Sequence, residues 1–70
     1  TSNGRMDIVV QTDKYIYILE LKMDASADEA LQQIEDKGYA KPFAADPRKL
    51  FKIGIGFSSE TRRIKEWKMA

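Results

Sequence analysis

Three charged residues on two neighbouring apolar segments have the types that metal-dependent hydrolysis uses. Asp7 lies in GRMDIVVQT, and Glu20 and Lys22 lie in YIYILELK. Successive side chains of a strand point to opposite faces, so Glu20 and Lys22 share one face and Leu21 takes the other. Two carboxylates that lie close together can share a divalent cation, and a lysine beside them can act on a water molecule or a phosphate.

The register of the first hairpin decides whether the two carboxylates meet. A tight turn at residues 13–14 would pair Thr12 with Tyr15 and place Asp7 directly opposite Glu20, with their β-carbons about 5 Å apart. Two like charges at that distance repel unless a cation or Lys22 lies between them. The ordinary alternatives stay open: Asp7 facing solvent at the start of a strand, and Glu20 and Lys22 forming a simple ion pair.

Composition limits the chain to one small domain over residues 1–70 and excludes several chemistries. It contains no His and no Cys, which rules out zinc centres and Ser-His or Cys-His nucleophiles. A net charge of +1 gives no overall field for attracting nucleic acid. No segment is apolar enough to cross a membrane and none resembles a signal peptide, so we expect a cytoplasmic location and no membrane partner. The opening TSNGRMD suggests a piece of a longer protein.

The periodicity of apolar residues predicts the order strand, strand, helix, strand, strand. This indicates an α/β fold with a mixed sheet of about four strands and one main helix, which crosses over so that the second and third strands run parallel. The predicted strands are Met6–Gln11, Tyr15–Lys22, Leu50–Phe57 and Arg62–Met69. Because the second strand is almost continuously apolar, we expect it to be central and covered on both faces.

Local signals fix the ends of the helix and the packing of the last two strands. Ser26 and Glu29 fit a capping box at the start of the helix. Gly38 is predicted as its C-cap, with an irregular continuation toward Pro42 as the alternative. In the third strand, glycines 54 and 56 leave a bare stripe on which a helix could pack closely. The last strand is expected at a sheet edge, with Ile64 and Trp67 as its apolar anchors.

Four elements in this order resemble the PD-(D/E)XK nuclease superfamily: GRMD, ELK, the helical ALQQIEDKGY and the strand-like KLFKIGIGFS. The chain is similar in particular to a bacterial branch whose nuclease-like domain follows an ATPase-like domain in a longer protein. The resemblance covers nearly the whole chain and implies a restriction-endonuclease-like core. That core is truncated here, because the superfamily places a helix and a strand ahead of the Asp strand.

The resemblance implies a catalytic site with a bound divalent cation. Asp7 and Glu20 would ligate Mg²⁺ or Mn²⁺, and the backbone carbonyl of Leu21 would be the natural third ligand. Lys22 would orient or deprotonate the attacking water and screen charge on the phosphate.

Three further residues match family positions. Gln33 matches a catalytic glutamine that faces the active centre from the helix, although an exposed polar residue is an equal alternative. Tyr39 matches the aromatic residue that follows, where a core position is the usual alternative. Arg5 matches the GR(x)D pattern and would contact nucleic acid or neutralise Asp7.

Two hypotheses on function follow. In the first, the domain is a metal-dependent nuclease, a hydrolase acting on phosphodiester bonds in DNA or RNA. In the second, it is a non-catalytic binding or assembly module that retains the nuclease fold. We expect nucleic acid and an ATPase-like domain of the parent chain as partners. We also expect a homodimer through the strand Met6–Gln11, because a truncated sheet exposes an edge there.

Overall fold

The computed structural model describes residues 5–70, with side chains from residue 6 onward. It confirms the predicted order ββαββ. The elements are β1 (Arg5–Gln11), β2 (Tyr15–Met23), α1 (Ala27–Lys37), a 3-10 turn (Lys41–Phe43), β3 (Lys49–Ser58) and β4 (Arg63–Met69). No helix within the described range is both long and apolar enough to cross a membrane.

The strands form one mixed sheet in the order β1-β2-β3-β4. The pairs β1–β2 and β3–β4 are antiparallel, whereas β2–β3 is parallel because α1 carries the chain back across the sheet. This confirms the α/β fold with a parallel central pair. The central position of β2 and the edge position of β4 are also confirmed.

The first turn fixes the register of the hairpin, as the sequence predicts. The backbone N–H of Thr12 donates to the carbonyl of Tyr15 at 2.8 Å. The Thr12 hydroxyl accepts from the backbone N–H of Tyr15 at 2.9 Å. With this end closed, Asp7 pairs with Glu20 five positions further along the hairpin.

Capping holds both ends of α1. The Ser26 hydroxyl accepts from the Glu29 backbone N–H at 3.0 Å, and the Glu29 carboxylate accepts from the Ser26 backbone N–H at 3.2 Å. This is the predicted capping box. At the other end Gly38 adopts the left-handed conformation with φ of 65°, which confirms it as the C-cap.

The core lies on one side of the sheet, between β2 and α1. Its buried members are Ile16, Ile18 and Ile34, with the small residues Ala27 and Ala30 bringing the helix close. The apolar residues of α1 therefore face the sheet.

Two expectations about coverage are wrong. The strand β2 is covered only on its α1 side, since Tyr15 and Met23 on the other face are exposed. Ile64 and Trp67 do not anchor β4, because they are 57% and 61% exposed. A register shift between Gly56 and Phe57 places both of them on the uncovered face, opposite Phe57 and Ile55 respectively.

The glycines of β3 allow α1 to lie directly on the sheet. A β-carbon at Gly54 would lie 2.9 Å from the backbone nitrogen of Leu31 and closer still to the carbonyl oxygen of Ala27. A β-carbon at Gly56 would collide with the carbonyl oxygen of Ala25. The start of α1 and the residues just before it thus pack on the bare stripe that the sequence predicts.

Candidate functional site

Asp7 and Glu20 meet across the β1–β2 ladder on the face that α1 packs against. They are direct pairing partners, as predicted from the turn. Glu20 follows the buried Ile16 and Ile18 in the alternation of β2 and is itself completely buried, whereas Asp7 on the outer strand is exposed. A carboxylate is rarely buried unless hydrogen bonds, an opposite charge or a metal replaces its hydration. Burial of Glu20 therefore requires compensation by a partner of one of these kinds.

Lys22 lies on the same face, one pairing row further along β2. Its partners in the ladder are Arg5 on one side and Gly56 on the other. Its side chain is half-buried. Gly56 presents no side chain there, and the backbone carbonyl of Ala25 packs over it on the β3 side of Lys22. An ammonium group on the same face as the two carboxylates can approach a phosphate.

The helix presents Gln33 to the side of the sheet where Asp7 lies. Leu31 approaches Gly54, and Glu35 pairs with Lys52, so this flank of α1 lies over β3. Positions 30, 33 and 37 occupy the opposite flank, which faces β1. Gln33 is half-buried there. In the described part of the chain α1 packs on β2, β3 and β4 and does not reach β1, which leaves Asp7 accessible.

The two carboxylates fit a hard divalent cation. Mg²⁺ and Mn²⁺ prefer oxygen ligands, and Mg²⁺ commonly takes one or two carboxylates and retains several waters. Among the described residues there is no cluster of three or more potential ligand side chains. The pair Asp7 and Glu20 would thus have to be completed by waters, substrate or backbone. The carbonyl of Leu21 as third ligand stays a prediction.

The remaining two predicted residues lie apart from this pair. Tyr39 packs against the core formed by Ile16, Ile18 and Ile34, just beyond the end of α1. Its aromatic ring therefore contributes to the core. A contact of Tyr39 with nucleic acid stays a prediction. Arg5 belongs to β1, but its side chain lies outside the described residues.

Two residues of β4, Glu66 and Lys68, help to hold the start of α1 on the sheet, and the sequence reasoning predicted neither contact. The Glu66 carboxylate accepts from the Ala27 backbone N–H at 2.7 Å. Lys68 pairs with Asp28 at 3.0 Å, and this hydrogen bond raises the pKa of Lys68. The alternation of side chains along β4 predicts that Glu66 and Lys68 share a face. It does not predict which residues they contact, because that depends on the register shift between β3 and β4.

An open cavity of about 410 Å³ lies beyond the end of β2 and is lined by Asp24, Ser58, Glu60, Thr61 and Lys65. Asp24 is engaged there, accepting from the Ser59 hydroxyl at 2.6 Å and from its backbone N–H at 3.0 Å. These bonds lower the pKa of Asp24. The cavity does not include the carboxylate pair, so the predicted site and this cavity are separate.

Comparison with known proteins gives a family and a longer relative. The family model of the PD-(D/E)XK nuclease superfamily matches residues 1–67. The chain is also 36% identical over 66 residues to an uncharacterized protein encoded in the vnfD 5′ region of Azotobacter chroococcum mcd 1. That match covers 91% of this chain and 13% of the relative, so the chain spans a small part of the relative's length. No solved structure matches the chain.

Proposed function

Because the chain belongs to the PD-(D/E)XK nuclease superfamily, we propose that it is a metal-dependent nuclease domain that hydrolyses phosphodiester bonds in nucleic acid. The observation that supports this most is the direct pairing of Asp7 with the buried Glu20. Lys22 follows on the same face. A buried acid opposite a second acid offers oxygen ligands from two neighbouring strands to one divalent cation.

The two acids would hold Mg²⁺ or Mn²⁺ from different depths. Glu20 is fixed by burial between β2 and α1, whereas Asp7 is exposed on the side from which a substrate strand would approach. The chemistry supplied by such an ion when bound is Lewis-acid polarisation of a phosphoryl oxygen.

Lys22 and Gln33 would act on the substrate and its attacking water. The Lys22 ammonium donates hydrogen bonds and positive charge where negative charge develops on the phosphate. Gln33, on the flank of α1 that faces β1, can orient a water or a phosphate oxygen through its amide. Both side chains are half-buried, so their positions are partly fixed before substrate arrives.

A non-catalytic binding module is the second candidate function. It is favoured by the absence, among residues 6–70, of a third acidic side chain grouped with the pair. In that case Lys22 would contact the phosphates of a nucleic-acid backbone without cleaving it.

The longer relative bears on the setting of the domain. We propose that it works in the cytoplasm within a longer chain, next to an ATPase-like domain. The small share of the relative that it covers, 13%, leaves room for such a domain.

Cleavage of labelled single-stranded DNA, duplex DNA and RNA with Mg²⁺ or Mn²⁺ tests the proposal. The proposal predicts cleavage that Asp7→Asn abolishes and that Lys22→Ala lowers by about 10²-fold or more. Lys14→Ala is the matched control, because it removes one positive charge from the exposed β1–β2 turn. Binding without cleavage in every substrate, weakened by Lys22→Ala alone, would favour the binding module instead.

A further inference from the structure

A step in the surface runs along β1 on the side of the sheet that carries α1. Asp7, Val9 and Gln11 alternate along β1 on this side, and all three are exposed. Within the described residues α1 packs on the other three strands and stops short of β1. The flank of α1 that carries Gln33 and Lys37 therefore rises beside β1 as a wall. We call this step the ledge, with the three β1 residues as its floor and the two α1 residues as its wall.

Contacts between α1 and β3 fix the position of the helix along the ledge. Leu31 approaches Gly54, which lies in the pairing row of Asp7. About one turn later Glu35 pairs with Lys52, which lies two residues nearer the start of β3. The helix therefore runs along the ledge from the carboxylate pair toward the β1–β2 turn.

The two wall residues take their positions from this register. The row of Lys52 contains Val9, so Gln33 lies at a level between the rows of Asp7 and Val9. Lys37, one turn further along the helix, lies beyond the row of Val9. A strand advances about 3.3 Å per residue, which places Lys37 about 10 Å along the ledge from Asp7.

Lys37 brings an uncompensated positive charge to the ledge. Lys52 and Lys68, on β3 and β4, pair with carboxylates of α1. Between residues 6 and 70, by contrast, no ion pair involves Lys37, and its side chain is exposed. Lys22 lies on the opposite side of the carboxylate pair, so an ammonium group follows the pair in each direction along the sheet.

We propose that a single nucleic-acid strand lies along the ledge, with Lys37 bound to a phosphate about three nucleotides from the one at the carboxylate pair. The inference rests on the function proposed above. Nucleic-acid backbones are bound mainly through basic groups, and a strand advances about 3.4 Å per nucleotide along a helix axis, so 10 Å corresponds to about three nucleotides. The Gln33 amide donates to the strand between these two points, and Val9 offers an apolar surface to a sugar.

The shape of the ledge favours one strand over a duplex. The wall is the height of one helix, about 10 Å, and the floor is one β-strand wide, about 4.8 Å. A corner of this size receives one backbone with its bases. A duplex presents a second backbone across a groove about 6–12 Å wide, whereas the ledge has one wall and one row of donor groups.

A lysine in the last turn of a helix also has a structural role. Lys37 occupies that turn of α1, where a positive charge interacts favourably with the helix dipole. That interaction changes the stability of the helix, but it does not change how the affinity for nucleic acid depends on salt. The salt dependence of binding therefore separates the two roles.

Fluorescence anisotropy with a single-stranded DNA of about 12 nucleotides, in the presence of Ca²⁺, measures the contact. We expect Lys37→Ala to raise the dissociation constant at least about threefold. The slope of log affinity against log salt should become shallower by about 0.7, the value for one phosphate contact of a single strand.

Lys49→Ala is the matched control for charge. Lys49 is an exposed lysine at the same end of the sheet, but it lies over the Phe51 ring on the other face. Its removal should change the dissociation constant by less than about 1.5-fold. Circular dichroism checks that both variants are folded. Equal effects of the two variants, or wild-type affinity and salt slope in Lys37→Ala, would overturn the proposal.

Adding a charge to the ledge gives a gain of affinity that misfolding cannot imitate. Val9 and Val10 are neighbours in β1 with nearly equal exposure, 43% and 45%, but Val10 points to the other face of the sheet. Val9→Lys should lower the dissociation constant at least about threefold and steepen the salt slope by about 0.7, whereas Val10→Lys should leave both nearly unchanged. Equal gains would show that overall charge governs binding, which would overturn the proposal.

Cleavage of the same oligonucleotide separates this inference from the nuclease proposal. Wild-type binding and cleavage in Lys37→Ala would overturn the ledge and leave the nuclease standing. Binding that depends on Lys37 without any cleavage would support the ledge and count against catalysis. Tighter binding of a duplex of equal length than of the single strand would overturn the assignment to one strand.

Discussion

Replacing Gly54 with alanine should destabilise the domain, although alanine is normally the better strand residue. In the interior of a strand, glycine is less favourable than alanine by roughly 0.5–1 kcal/mol. Here the new methyl group would lie 2.9 Å from the Leu31 nitrogen and closer to the Ala27 carbonyl oxygen. Non-bonded atoms pack at about 3.5 Å, so α1 would have to retreat by more than about 0.6 Å.

The expected cost follows from overpacking against a backbone that cannot rotate away. Such insertions cost about 1–3 kcal/mol, which exceeds the gain in strand propensity. For a domain of this size each kcal/mol lowers the melting temperature by about 4–8 °C. Thermal unfolding followed by circular dichroism should therefore show a clear drop for Gly54→Ala.

Lys65→Ala, at an exposed position of β4, serves as the control and should stay within about 0.5 kcal/mol of the wild type. The close seating of α1 on β3 would be refuted if Gly54→Ala melted at the wild-type temperature or above it.

Two further predictions concern caps and pH. Ser26→Ala removes the hydroxyl that accepts from Glu29 and should cost about 1 kcal/mol in urea unfolding; an unchanged midpoint would show that the capping box contributes nothing. The hydrogen bond from Arg48 lowers the pKa of Asp46 from 3.8 to about 2. The stability that this interaction contributes is therefore complete above pH 3.8 and is lost as the pH falls through about 2. The difference in melting temperature between wild type and Asp46→Asn should close over that interval; a constant difference would contradict the ionic origin.

The local signals in the sequence predicted the positions of the elements and the central pairing. The turn after Thr12 fixed the hairpin register, and with it Asp7 opposite Glu20, because a two-residue turn leaves little freedom. The capping box at Ser26 and the C-cap at Gly38 are equally local and were predicted correctly.

Long-range features escaped prediction for a physical reason. An apolar strand such as β2 looks the same whether one face or both are covered, since hydrophobicity reports only a preference for burial. The shift at Gly56 and Phe57 depends on the pairing partner in β4, which no local pattern encodes. Consequently the exposure of Trp67 and the bond from Glu66 to the start of α1 could be seen only in the folded chain.

Binding of Mn²⁺ to the chain tests the central proposal, a divalent-cation site at Asp7 and Glu20, most directly. Isothermal titration should show a single ion whose affinity falls at least about tenfold in Asp7→Asn, since one of two carboxylate ligands is lost. Asp13→Asn, which removes an acid from the exposed β1–β2 turn, should bind within about twofold of the wild type. Equal affinities of Asp7→Asn and the wild type, or no binding by the wild type, would contradict a metal site at this pair.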